Sequence, residues 1–183
     1  MRRDADAPGT SATVGNTTTG NAMSDDGPGV PNPARIVADA DVLAADLLVG
    51  GSSREALDVV RSHSWVELVA SDPLLAEAEA VIERCADGTL AADWRAAIER
   101  ERVRVSHPDG DHPALASAYQ GDAAHLLSLD DDLRSARTGA RLQGRVRVSV
   151  KTPAGFCRQF DPETLHEAIE GGTYPGPDRD PRA

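Results

Sequence analysis

Aromatic side chains make up only 3% of this sequence, two each of Trp, Tyr and Phe among 183 residues. A core of ordinary size must therefore be built from Val, Leu, Ile and Ala. Lysine is almost missing: Lys151 stands alone, and arginine supplies the rest of the 19 basic residues. Cysteine is confined to Cys85 and Cys157, far apart and without zinc spacing. That excludes a disulfide framework and a zinc finger, and it fits a reduced cytoplasmic location. No stretch of about 18 apolar residues occurs, which excludes a membrane-spanning helix and a membrane partner. The opening Met-Arg-Arg-Asp has no apolar run behind it, so no signal peptide is expected.

Acid is abundant. The 30 Asp and Glu residues leave a formal charge of −11. An acid-rich, alanine-rich, lysine-poor composition resembles that of proteins from salt-loving archaea. There, dense surface carboxylates keep the chain hydrated, and multimolar salt shortens the Debye length below about 3 Å. Under such screening the negative total weighs little against a nucleic-acid substrate, because a local arginine patch still suffices to hold phosphates.

Most of residues 1–33 are Gly, Pro, Ser, Thr or Asn, and this part reads as a disordered N-terminal tail. Residues 34–170 form the expected domain, and 171–183, rich in Gly, Pro and Asp, reads as a flexible C-terminal tail. Within the domain, short Val- and Leu-rich strands are expected at Arg35–Ala38, Val66–Ala70, Val103–Ser106, Ala124–Leu129 and Val146–Val150. Helical patterns separate them, with Ser71 or Asp72 capping one that runs to Cys85, and another expected over Asp130–Arg137. Five strands alternating with helices predict an α/β fold with a mainly parallel sheet between helical layers.

Four carboxylates stand where such a sheet gathers ligands. Asp39 follows Ile36-Val37-Ala38, Glu77 lies in Leu74-Leu75-Ala76-Glu77, Asp111 precedes His112-Pro113, and Asp130 closes Leu126-Leu127-Ser128-Leu129-Asp130. Strand ends and helix starts converge at the carboxyl edge of a parallel sheet. Acids brought together there repel unless a divalent cation or shared protons neutralise them. Oxygen ligands of this kind suit Mg²⁺ or Mn²⁺. Such an ion both neutralises a phosphate and activates a water, so a hydrolytic metal site is expected. Read singly, each acid has a plainer use: Asp111 and Asp130 as helix caps, Glu77 as a partner of its helix dipole.

These segments resemble the PIN-domain family. Arg35-Ile36-Val37-Ala38-Asp39-Ala40-Asp41-Val42-Leu43 is similar to that family's opening strand and first acid. Ser71 to Glu77 resembles the second motif, and Asp111 to Ala118 with Leu126 to Leu133 the third and fourth. Val148 to Phe156 is similar to the closing strand with its Thr-Pro-x-x-Phe helix start. The resemblance implies a three-layer α/β/α fold with a central five-stranded sheet. It also implies an Mg²⁺- or Mn²⁺-dependent endoribonuclease of the toxin–antitoxin kind. Asp39, Glu77, Asp111 and Asp130 would be its catalytic acids, with Asp39, Asp111 and Asp130 on the metal. Ser128 and Asp41 would support them from behind. Position 41, commonly Asn, Ser or Thr in that family, is here an acid. RNA as substrate, a small antitoxin protein and a homodimer follow from the same resemblance. Arg134, Arg137 and Arg141 fall at helical spacing after Asp130 and are the candidate RNA contacts. Arg100, Arg102 and Arg104 form a second basic stretch whose plainer reading is ion pairing.

Three rival readings share some of these residues. A non-catalytic PIN-like binding module keeps the fold without the metal. A haloacid-dehalogenase-type phosphatase would use Asp39 as nucleophile in Asp39-Ala40-Asp41, but it needs a lysine before the final acids, and Lys151 follows them. A receiver domain would need an aspartate ending the third strand, which Val103–Ser106 lacks.

Overall fold

The computed structural model describes residues 30–135 and 148–182. Among the described residues five strands form one sheet: β1 (Asn32–Ala38), β2 (Glu67–Ser71), β3 (Arg102–Val105), β4 (Ala123–Leu127) and β5 (Ser149–Lys151). All neighbouring pairs are parallel, in the order β3-β2-β1-β4-β5. Seven helices flank the sheet among the described residues: α1 (Ala40–Leu48), α2 (Gly51–Arg61), α3 (Asp72–Cys85), α4 (Gly88–Glu101), α5 (Pro113–Gln120), α6 (Pro153–Gln159) and α7 (Pro162–Ile169). The α/β/α class and the five parallel strands are those expected. The strand order differs from the 2-1-3-4-5 of receiver-type sheets, which removes that rival.

Local chemistry places the helix starts. Ser71 Oγ accepts from Leu74 N (3.4 Å) with Pro73 in the first turn, Asp87 accepts from Leu90 N, and Thr152 Oγ1 accepts from Gly155 N ahead of Pro153. The core is aliphatic, as the scarcity of aromatics demands: Ile36, Val37, Leu74, Leu75, Ile82, Leu126 and Leu127 are wholly buried, with Phe156 and Trp94 the main aromatic members.

Alternation along the strands sorts the two faces. The registers Ile36↔His125↔Ser149 and Ala38↔Leu127↔Lys151 set His125, Leu127 and Lys151 on one face, where Phe156 of α6 meets the His125 ring. Arg35, Val37 and Val69 point to the other face, which α5 covers. There, Arg35 Nη1 donates to Gly121 O (3.2 Å). A Cβ at Gly121 would stand 2.3 Å from Val69 Cγ1 and 3.1 Å from Ser117 O, so only glycine lets α5 end this close to β2. Gly121→Ala is expected to lose about 1–3 kcal/mol through overpacking, read as a lower urea or thermal midpoint.

Several expectations need correction. Residues 1–29 of the expected N-terminal tail lie outside the described residues, but Asn32 and Pro33 already belong to β1. The helix expected over Asp130–Arg137 is not formed over residues 131–135, which make turns. The reason is local: Asp130 Oδ1 accepts from Asp132 N (2.8 Å) and Ser128 Oγ accepts from Asp130 N (3.0 Å), so side chains hold the backbone in a turn. Residues 136 and 137 of that helix, and 146 and 147 of the last strand, lie outside the described residues. The C-terminal stretch has no helix or strand over 171–182, yet it is fastened along the end of α2. The Tyr174 hydroxyl meets His63 Nε2 (2.6 Å), Asp178 N donates to Ser62 O (2.9 Å), Ser64 N donates to Asp178 Oδ1 (2.7 Å), and Arg182 pairs with Asp58 (2.6 Å).

Candidate functional site

In a sheet ordered 3-2-1-4-5, the chain leaves β1 to one side for β2 and later returns on the other side as β4. The crevice at the carboxyl ends of β1 and β4 is the topological switch point. Asp39 and Ser128 each follow directly on one of these strands. Asp39 is the N-cap of α1 and is 5% exposed. Its Oδ1 accepts from Ala40 N (2.8 Å), and its Oδ2 accepts from Ser128 Oγ (3.0 Å). Ser128 is fully buried and is itself fixed, its N–H donating to Lys151 O (3.0 Å). The serine hydroxyl thus ties Asp39 to the backbone of Asp130 across the crevice.

Asp41 completes the group. In the first turn of α1 it swings back over the crevice, and its Oδ2 accepts from Leu129 N (2.9 Å). Its Oδ1 is buried and has no hydrogen-bond partner. Burial, then the charge of Asp39, and more weakly that of Asp130 raise the Asp41 carboxyl above its ordinary value, against the N–H groups of Leu129 and Val42. Because the folded protein holds this proton more tightly than the unfolded chain, stability falls as pH rises from the ordinary value of 3.8 through the raised one. Asp41→Asn cannot ionise. It is expected to melt higher than wild type at neutral pH in EDTA and equally below the ordinary carboxylate range, as followed by thermal denaturation against pH.

The other three expected acids are exposed. Asp130 is exposed at the mouth, and its charge reaches Asp41. Glu77 on α3 and Asp111 before α5 are both exposed, and no described contact joins either to Asp39. Among the described residues no three His, Cys, Asp or Glu side chains are gathered as a ready-made metal cage. Arg134 spends its guanidinium on the turn: Nε donates to Asp130 O (3.2 Å), and Nη2 reaches Leu129 O and Asp131. Arg137 and Arg141 lie outside the described residues. In the second basic stretch, Arg102 and Arg104 both pair with Asp72, which is the plain ion-pairing use. No helix among the described residues is long and apolar enough to cross a membrane.

Comparison with known families corrects the resemblance drawn from the motifs. The model of a family of unknown function, DUF7384, matches residues 30–182, and no PIN-domain family matches. The PIN assignment is therefore withdrawn. Its motifs are short, and each consists mainly of an acid following an aliphatic run, a pattern that a parallel sheet with acids at its carboxyl edge produces on its own. The antitoxin partner and the homodimer had no basis beyond that resemblance. No curated protein and no solved structure matches the chain. A match over 153 of 183 residues (30 to 182) decides the affiliation: the chain belongs to the family of unknown function DUF7384.

Proposed function

We propose that the crevice between β1 and β4 binds a divalent cation, Mg²⁺ or Mn²⁺, and hydrolyses phosphodiester bonds of RNA. The observation behind the cation is the buried Asp41 oxygen left without a partner beside Asp39, and phosphodiester hydrolysis is a reaction that such an ion supports. A buried carboxylate oxygen facing further negative charge is costly unless a cation or a proton answers it. The donor set is all oxygen, which suits hard divalent ions. Asp39, Asp41 and Asp130 are the residues that would hold the ion. Glu77 and Asp111 have no part in this reading.

When bound, such a cation neutralises charge on the phosphate and lowers the pKa of a water to make it nucleophilic. The protein's own contribution is positioning. Ser128 orients the Asp39 carboxylate through its hydroxyl, and the α1 N-terminus holds the opposite oxygen. The Leu129 N–H fixes Asp41, and Arg134 is the one described cation in the turn carrying Asp130. A phosphatase with Asp39 as nucleophile is disfavoured, because it needs a lysine before the final acids and the chain's one lysine, Lys151, follows them. The test is an RNA cleavage assay in molar KCl with Mn²⁺, comparing wild type, Asp39→Asn and Asp130→Asn. Equal cleavage by all three would place the activity elsewhere. The absence of both cleavage and Mn²⁺-induced stabilisation in wild type would leave a binding module without a metal.

A further inference from the structure

A second cleft opens on the face that bears Lys151. About 310 Å³ in volume, it lies between β4, β5, α6 and α7. That is the lower end of the range for small-molecule sites, roughly 300–1,000 Å³. Phe156, Phe160, Leu165 and Ala168 give it a mainly apolar wall, and Lys151 and His125 supply polar groups from the sheet floor.

Lys151 is the chain's only lysine, set in a protein of charge −11. It nevertheless has no ion pair or hydrogen bond from its ammonium group among the described residues. The one acid among the residues lining the cleft, Asp161, is turned to cap α7, accepting from Thr164 N (3.2 Å) and Thr164 Oγ1 (2.8 Å). Beside Lys151, His125 Nδ1 is buried without a partner. Both groups hold their protons loosely: burial and then Lys151 push His125 down to about 4, and burial lowers Lys151. Unanswered cationic and imidazole groups at the foot of an apolar cleft are groups awaiting an anion with an apolar body.

We infer that this cleft binds a small organic acid, its carboxylate on Lys151, its apolar or aromatic body against Phe160 and Leu165. The carboxylate would accept charge-assisted hydrogen bonds from the Lys151 ammonium, with His125 beside it. A nucleotide or other polyanion fits poorly, since a single cation faces it and the wall is apolar. The site does not depend on the proposed hydrolytic centre.

Phenylacetate and its neutral counterpart phenylacetamide are suitable probes. Both are titrated into the full chain in molar KCl and followed by amide chemical shifts and calorimetry. Saturable millimolar binding of phenylacetate is expected, with shifts confined to β4, β5, α6 and α7. The amide and the Lys151→Gln protein should each bind about tenfold more weakly than the acid on wild type, the scale of one charged hydrogen bond. Lys151→Gln changes a partly exposed residue, and Ala168→Trp, which closes the mouth from an exposed position, should block both probes. Absence of saturable binding by phenylacetate, equal affinity for acid and amide, or an unchanged affinity in Lys151→Gln would each overturn the assignment.

Discussion

Asp39→Asn is expected to lose divalent-dependent RNA cleavage by at least about 100-fold, the scale on which even the supporting partners of metal ligands act, while the protein stays folded. The two effects separate because asparagine caps a helix about as well as aspartate does. An amide oxygen can still accept from Ala40 N, and its NH₂ can donate to Ser128 Oγ in place of the present bond. Unfolding stability in EDTA should therefore fall by no more than about 1 kcal/mol, the net size of one hydrogen bond. The Mn²⁺-induced rise in melting temperature, present in wild type, should disappear. An Asp39→Asn protein that cleaved RNA at the wild-type rate would remove the hydrolytic centre from this crevice altogether.

Arg102→Ala is expected to be the most damaging of these changes to the fold, about 2–3 kcal/mol by chemical denaturation. The Arg102 side chain is 1% exposed. Its Nη1 donates to the Ala70 carbonyl (2.7 Å), Nε to Glu99 (2.9 Å), and Nη2 to Glu99 and Asp72. Truncation would strip a buried carbonyl of its donor and leave two carboxylates without their shared cation. The figure stays below that for a fully buried pair because both carboxylates reach water. Hydrogen bonds from Arg102 hold Asp72 and Glu99 below the usual carboxylate range. A depressed folded value means stability that is present at neutral pH and is lost as pH falls from the ordinary range, about 4, through the lowered one. In Arg102→Ala this acid limb should be shallower. It should not vanish, because Arg95 and Arg104 also serve the same acids.

The layered fold was legible because strand and helix periods alternate cleanly and Pro73 and Pro153 sit just inside helix starts. The meeting of Asp39 and Ser128 followed from their place immediately after two apolar runs, since strands that end at one edge bring their next residues together. Glu77 and Asp111 were harder. Which way a helical residue faces depends on how its helix lies over the sheet, and that is settled by distant packing. Asp41 was undervalued because a second acid close to the first usually points to solvent. Only the Leu129 N–H, eighty-eight positions further on, draws it inward. The Lys151 cleft had one visible signal, a solitary lysine in an arginine-rich chain. Its place on the same face as His125 required the register of β4 against β5. The turn after Ser128 escaped because Ser and Asp side chains there capture N–H groups that a helix would have used.

Of the described strands, the central one is also the first made. β1 finds its partners in β2 and in β4, and the bond from Ser128 to Asp39 spans 89 positions of chain. A nascent polypeptide leaving the ribosome thus carries its middle strand with one side unzipped until most of the domain has been synthesised. Assembly of this protein should be slow for its size and vulnerable to association of that naked edge, and the crevice is among the last features to come into being.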